Sequence, residues 1–222
     1  MARQLRAEVT RNMILRAAAD AFDQYGYGGT SLSDVLRYAG VTKGALYFHF
    51  TSKEQLANAI VECQQAWSVA PAKEDFDRGA PGLESVVRLC VRWAAGLTED
   101  PMLRASIRLS LETGMFSRPG SDPYREWLEE TAKLLRRAAD SGELRSGVDP
   151  EVLARFVVGA FTGVQAVSQI LNGRMDLTRR VGEMWELLLP SIVDGDRLPY
   201  YLGLIDAERA GPRQEPAEAA QR

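Results

Sequence analysis

Residues 30–53 read TSLSDVLRYAGVTKGALYFHFTSK, and this stretch predicts two short helices joined by a tight turn. Ser31 is a suitable N-cap for the first helix, because its hydroxyl can accept a hydrogen bond from a backbone N–H in the first turn. The apolar residues that follow recur at the spacing of one helix face, and Gly40 can adopt the left-handed conformation that ends a helix. Thr42 can then cap a second helix over Lys43 to His49.

Two helices joined by a glycine turn are typical of a helix-turn-helix, whose second helix enters the major groove of DNA. The outward side of this second helix suits that role. Lys43 can donate to guanine or phosphate, Gly44 lets the backbone approach the groove, and the Tyr47 hydroxyl can reach a phosphate. A further helix capped by Ser52 would present Lys53 and free N–H groups to another phosphate. The alternative is an ordinary corner of a helical protein.

The surrounding sequence favours the DNA-binding interpretation. An amphipathic helix is predicted from about Thr10 to Tyr25, ending at Gly26, so that three helices form one unit closed by Tyr27 and Phe50. This unit resembles the DNA-binding domain of the TetR family of bacterial repressors. The resemblance covers about fifty residues and is carried by Gly26-Tyr27, by the run AGVTKGALYFHF over residues 39–50 and by SKE at 52–54.

Within that family, two segments resemble the γ-butyrolactone autoregulator receptors of antibiotic-producing actinomycetes: the opening MARQLRAE and the run GALYFHF at residues 44–50. The outward positions and the resemblance together give the residues that we expect to contact DNA. They are Arg3, Arg6, Thr30, Ser31, Ser33, Thr42, Lys43, Gly44, Ala45, Tyr47, Phe48, His49 and Lys53.

Charge is distributed unevenly along the chain. The 222 residues carry a net charge of −3, but residues 1–53 hold seven Lys and Arg against four Asp and Glu, so this segment is +3 and the remainder −6. A basic head on an acidic body is compatible with DNA binding, since phosphate affinity depends on the local patch. Cys63 and Cys90 lie in apolar helical patterns and predict buried free thiols in a reducing cytoplasm. No secretion signal opens the sequence, which also favours a cytoplasmic location.

The rest of the sequence predicts an all-α body. Residues 1–52 are assigned to the DNA-binding domain, 53–205 to a ligand-binding and dimerisation domain, and 206–222, which lack apolar bulk, to a disordered tail. Helices are predicted over Lys53 to about Val69, Leu83 to Leu97, Met102 to Thr113, Pro123 to about Ser141, Pro150 to Leu171, and Leu177 to Ile192. The apolar stretch from Val152 to Leu171 contains Arg, Thr, Gln and Ser residues, which favours a buried helix over a membrane span.

Catalysis has little support in this sequence. Its single histidine, His49, lies on the predicted reading helix, so a Ser/His/Asp or Cys/His arrangement would have to occupy the DNA-binding surface. No cluster has metal-ligand spacing, and no glycine-rich phosphate loop follows a strand. We therefore expect no enzyme activity, no metal and no cofactor.

A small-molecule sensor is the stronger hypothesis. The segment from Pro123 to Trp127 resembles the part of butyrolactone receptors whose tryptophan lines the signal pocket, which implies the same role for Trp127. Apolar walls with a few hydrogen-bonding groups are typical of ligand sites, although core packing explains each residue equally well. The other residues chosen, by helical phase, are Gln64, Thr131, Phe161, Thr162 and Gln165.

DNA recognition of this kind needs two helix-turn-helix units about 34–36 Å apart, which predicts a homodimer. The resemblance implies a dimer seam built from the helices near residues 150–172 and 177–192. We thus expect a repressor that leaves a pseudo-palindromic operator when a γ-butyrolactone or butenolide binds. The alternatives are a receptor-like repressor that answers to an antibiotic or pathway intermediate, and a helical ligand-binding protein without DNA activity.

Overall fold

The computed structural model describes residues 2–62, 79–112 and 123–210. Within these ranges the regular structure is entirely helical, as the sequence predicts. The helices are α1 (Ala2–Gly29), α2 (Leu32–Ala39), α3 (Lys43–His49), α4 (described over residues 53–62), α5 (Gly82–Glu99), α6 (Pro101–Glu112), α7 (Pro123–Asp140), α8 (Pro150–Asn172), α9 (Leu177–Ile192) and α10 (Leu198–Ala210).

Helices α2 and α3 begin and end as predicted, and the predicted caps are present. The backbone N–H of Asp34 donates to Ser31 Oγ over 3.2 Å, and the Ser31 N–H donates to Asp34 Oδ2 over 3.0 Å, which completes a capping box. Gly40 has a φ of 63° and ends α2 in the left-handed region. Thr42 Oγ1 accepts from the Ala45 N–H over 3.2 Å at the start of α3.

Helix α1 is longer than predicted. It begins at Ala2, not near Thr10, and continues to Gly29 across a break at Gly26, where φ is 71° and ψ is 177°. Its first turns carry exposed apolar residues, Leu5 and Val9, so the pattern of one buried face becomes readable only further along the helix. The predicted end at Gly26 therefore corresponds to the break in the helix.

The described residues fall into two compact units. The first contains α1 to α4, α5 from Gly96, α6, and α7 as far as Glu130; the second contains α5 up to Ala95, α7 from Thr131, and α8 to α10. The predicted domain boundary between residues 52 and 53 does not coincide with the boundary of these units, because α4 and α6 share a hydrophobic core with α2 and α3. That core includes Ile14, Phe22, Val35, Leu46, Phe50, Leu56, Ile60, Ala105 and Leu109.

In the second unit, Glu143 joins three segments. Its carboxylate accepts from the N–H groups of Gly82 and Leu83 over 2.9 and 3.1 Å and from the Tyr201 hydroxyl over 2.9 Å. This buried side chain therefore caps the start of α5 and fixes the start of α10. Sequence periodicity did not indicate α10.

The disordered tail predicted from residue 206 conflicts with the structure over residues 206–210, which complete α10. Ion pairs compensate for the lack of apolar residues there. Glu208 pairs with Arg88, and Arg209 pairs with Glu186 over 2.8 Å. Residues 211–222 lie outside the described part of the chain.

Candidate nucleic-acid interface and ligand site

The exposed side of α3 brings most of the predicted DNA-contacting residues together. Leu46 is fully buried and anchors the helix on the core of the first unit. Thr42, Lys43 and Gly44 are exposed at its N-terminal end, and Phe48 is 79% exposed. The remaining members of this exposed surface are Tyr47, which is more than a third exposed, and the half-buried Ala45 and His49.

The start of α2 contributes hydroxyl groups and one carboxylate. Ser31 and Ser33 are exposed, but the Ser31 hydroxyl already donates to Asp34 Oδ2 over 2.6 Å. This hydrogen bond is the main cause that lowers the pKa of Asp34. Asp34 also forms an ion pair with Arg37 over 2.9 Å, so the guanidinium of Arg37 lies near the capped start of α2.

Thr30 does not present its side chain to solvent. It is 2% exposed, and its hydroxyl donates to the carbonyls of Ala21 and Gly26 over 3.0 and 2.8 Å. These two hydrogen bonds hold the Thr30 side chain against the end of α1. The helical pattern of α2 contains no sign of them. This placement does not support Thr30 as a side-chain contact with DNA.

Lys53 is bound within the protein. Its Nζ donates to the carbonyls of Tyr27 and Thr30 over 2.8 and 2.9 Å and lies 4.0 Å from the centre of the Tyr27 ring. The ammonium therefore stabilises the link between α1 and α2. A contact between Lys53 and a phosphate would compete with these three internal contacts, whereas contact by Arg6, which is exposed on α1, stays a prediction. The side chain of Arg3 lies outside the described residues.

The predicted ligand-binding residues are divided between the two units. Trp127 is half-buried on α7 in the first unit, with its ring centre 5.9 Å from that of Tyr124. In the second unit Thr131 and Phe161 are buried, and the half-buried Thr162 donates its hydroxyl to the Val158 carbonyl over 2.8 Å. Gln64 lies outside the described residues.

Gln165 has a partner that the sequence did not indicate. Its side-chain oxygen accepts from the guanidinium of Arg174 over 3.2 Å, and both residues are buried. Arg174 follows the left-handed Gly173 and itself has a φ of 71°, a conformation that non-glycine residues adopt with strain. The sequence predicts only a helix end at Asn172-Gly173, so the buried guanidinium is a new polar feature beside Gln165.

A cavity of about 280 Å³ lies elsewhere in the second unit, and none of the predicted ligand-binding residues lines it. Its walls are Pro81, Glu143, Asp196, Arg197, Tyr200 and Tyr201. Across the described ranges, no three His, Cys, Asp or Glu side chains are grouped as a metal site.

Two family models match most of the chain. The model of bacterial regulatory proteins of the tetR family matches residues 14–60, and the model of the tetracyclin repressor-like C-terminal domain matches residues 80–194. The chain belongs to the TetR family. The match at residues 14–60 contains α2 and α3, which are therefore the DNA-binding helix-turn-helix of this family member.

Among known proteins, the A-factor receptor protein of Streptomyces griseus is 43% identical over 192 residues, which cover 86% of this chain and 67% of the relative. A solved γ-butyrolactone receptor, described as ArpA-like, is 37% identical, with a TM-score of 0.83 over 93% of this chain and all of the other. CprB of Streptomyces coelicolor, solved with its operator sequence, is 36% identical with a TM-score of 0.82 over the same shares.

Proposed function

We propose that this TetR-family protein is a repressor that binds a pseudo-palindromic operator and releases it when a γ-butyrolactone or butenolide binds the body. The observation that carries the proposal is the exposed side of α3 on a buried core, in a chain 43% identical to an A-factor receptor. The similarity to a receptor supports the ligand class, and the CprB–operator structure supports DNA as the partner.

The DNA-binding surface consists of the exposed residues along α3. Lys43 supplies the cation for phosphate or guanine, and Gly44, with open space where a Cβ would stand, lets the backbone approach the groove. Phe48 supplies an exposed apolar ring that can contact thymine methyl groups. Tyr47 adds a hydroxyl at the edge of the same surface.

The ligand site is proposed from the residues that combine burial with hydrogen-bonding capacity. Gln165 is buried and turns its amide oxygen to Arg174, so its N–H groups are the donors that can hold a lactone or ketone oxygen. Phe161 adds an apolar wall, and Thr131 adds a buried hydroxyl. The role proposed for Trp127 in ligand binding follows separately, from the resemblance to butyrolactone receptors.

The homodimer is proposed to form through α8 and α9. Val152, Phe156, Val167 and Ile170 recur along one side of α8 and are 47–81% exposed, and Leu187 on α9 is 83% exposed. A monomer would leave this apolar surface in water, which is costly. Exposed Gly159 and Gly163 lie on the same side of α8, with open space where a Cβ would stand, so a partner backbone can approach closely.

Helix α8 is also long and apolar enough, by length and composition, to cross a membrane. A second copy explains the pattern better, because seven residues on the other side of α8, including Gln165 and Ser168, are buried within the protein. Ile170→Arg should convert the dimer to a monomer in sedimentation velocity, whereas Leu111→Arg, at an exposed leucine of α6, should leave the dimer intact. An Ile170→Arg protein that stays dimeric would exclude this seam.

The ligand proposal is tested by titrating a protein–operator complex with a panel of synthetic γ-butyrolactones and butenolides. Release by one of them in the wild type, with at least tenfold weaker release in Trp127→Ala, supports the proposal. If only antibiotics or their biosynthetic intermediates release the DNA, the receptor-like alternative holds. If the purified protein binds no duplex from its own promoter region, the repressor assignment fails.

A further inference from the structure

The break in α1 is held by two other helices. Gly26 occupies a region of backbone conformation that essentially only glycine adopts, and Tyr27 follows it. The N–H of Tyr27 donates to Glu112 Oε2 of α6 over 2.8 Å, and its carbonyl accepts from Lys53 Nζ of α4 over 2.8 Å. A single residue thus has its backbone donor and its backbone acceptor bound by side chains from α6 and α4.

Arg108 orients the carboxylate of Glu112. Its Nε lies 2.6 Å from Glu112 Oε1, and its Nη1 donates to the Asp23 carbonyl over 2.6 Å. Arg104, one turn earlier, pairs with the Asp23 carboxylate over 2.6 Å. A Cβ on Gly26 would lie 2.8 Å from Arg108 Nη2 and from Glu112 Oε2, so a side chain there would displace the guanidinium and the carboxylate that hold the break.

The turn that follows the break at Gly26 leads directly into α2 and α3. Thr30 donates its hydroxyl to the Gly26 carbonyl over 2.8 Å, and its own carbonyl accepts from Lys53 over 2.9 Å. The next residue, Ser31, is the N-cap of α2. The direction in which α2 leaves α1 therefore depends on the conformation between Gly26 and Thr30, which Glu112 and Lys53 hold.

We propose that Glu112 is a positioning residue for DNA binding: through the Tyr27 N–H it fixes the broken turn of α1, and it transmits ligand binding in the body to α2 and α3. The transmission of ligand binding by Glu112 rests on the proposed function as a ligand-responsive repressor. Glu112 is the last residue of α6, and the next described helix along the chain, α7, carries Trp127. Glu112 accepts from the Tyr27 N–H, so a small displacement of α6 that lengthens this hydrogen bond loosens its hold on the turn. The ligand must bind the released state more tightly than the held state.

Two substitutions separate the hydrogen bond from the charge. Glu112→Gln keeps an oxygen that can accept from Tyr27 but loses the ion pair with Arg108, whereas Glu112→Ala loses both. We expect operator affinity within threefold of the wild type for Glu112→Gln and at least tenfold weaker for Glu112→Ala. Ser110→Ala is the control, because among the described residues the Ser110 hydroxyl bonds within α6, to the Ser106 carbonyl over 2.8 Å.

Hydrogen–deuterium exchange distinguishes positioning from general destabilisation. In Glu112→Ala, exchange should accelerate in the peptide spanning residues 22–31 and stay unchanged in α8 and α9, at a temperature where circular dichroism shows full folding. Wild-type operator affinity in Glu112→Ala would overturn the proposal. So would a loss of affinity accompanied by faster exchange throughout the protein.

The ligand arm compares the operator Kd with and without the synthetic γ-butyrolactone that acts on the wild type. The ratio should fall close to one in Glu112→Ala and stay near the wild-type value in Ser110→Ala. An unchanged ratio in Glu112→Ala overturns the transmission half alone. If no lactone acts on the wild type, the proposed ligand fails together with the transmission half, and the affinity of Glu112→Ala for the operator still decides the positioning half.

Discussion

Lys53→Met tests whether this lysine serves the fold or the DNA. The sequence predicts a phosphate contact, whereas in the structure the ammonium donates to two backbone carbonyls, over 2.8 and 2.9 Å, and lies 4.0 Å from the Tyr27 ring centre. Methionine keeps an unbranched side chain of similar length and removes the charge. We expect Lys53→Met to destabilise the protein without changing the number of phosphate contacts.

The size of the effect follows from those three contacts. A hydrogen bond from a charged donor contributes about 1.5–3 kcal/mol, and we take about 1 kcal/mol for each because Lys53 is only partly buried and water can replace it. The cation–π contact adds about 0.5–1 kcal/mol. A total of about 2.5–3 kcal/mol corresponds to a fall in Tm of roughly 5–12 °C for a chain of this length.

Thermal denaturation and the salt dependence of operator binding are measured together. Each lost phosphate contact flattens the slope of log K against log salt by about 0.9, or about 1.8 for both subunits of a dimer. The matched control is Lys43→Met on the exposed side of α3, which should flatten the slope and leave Tm within about 2 °C. If Lys53→Met leaves Tm unchanged and flattens the slope as Lys43→Met does, Lys53 binds DNA and does not stabilise the fold.

Three further predictions concern stability and reactivity. Gly26→Ala should lower Tm more than Gly40→Ala, because Gly40 has open space around its Cβ position and carries only the backbone cost of about 1–2 kcal/mol; equal losses would contradict this. Burial raises the pKa of Cys90 to about 12, so native protein should resist iodoacetamide at pH 8 in peptide mapping, and alkylation as fast as in urea would contradict its burial. A hydrogen bond from Ser168, more than any other contact, lowers the pKa of Asp176 to about 2. The Tm loss in Asp176→Asn should therefore be constant between about pH 5 and 8 and shrink below about pH 4, as the wild-type carboxylate becomes protonated; a loss that grows on acidification would contradict it.

Local signals in the sequence predicted the helix-turn-helix well. The caps at Ser31 and Thr42 and the left-handed Gly40 each depend on residues within one turn of one another, so the sequence alone contains the information. The same holds for α8, where Asp149 caps the start and Gly173 ends the helix. Helix α9 also begins and ends as predicted.

Features that depend on distant residues were not predictable in this way. Lys53 carries the pattern of a solvent-facing helix start, and its partner carbonyls lie 23 and 26 residues away in the chain. Glu112 lies one residue before the predicted end of its helix at Thr113, without any signal that it binds Tyr27, 85 residues earlier. Helix α10 was missed because its ends are stabilised by Glu143 and by ion pairs with other helices, not by its own periodicity.

The candidate ligand site was predictable only as a set of helix faces. Phe161, Thr131 and Gln165, which the sequence predicts as ligand-binding residues, are buried in the structure. Helical phase carries no information about the guanidinium of Arg174, which reaches Gln165 from the turn after α8. The proposed role of Trp127 is tested by the titrations described above.

The most direct test of the central claim is a fluorescence anisotropy titration of a labelled operator duplex at fixed salt, with and without a saturating synthetic γ-butyrolactone. We expect the lactone to weaken operator binding at least tenfold, a coupling of about 1.4 kcal/mol, and Phe48→Ala to bind the duplex poorly in both conditions. An operator Kd that stays the same across the whole lactone panel would show that the protein is not a lactone-responsive repressor.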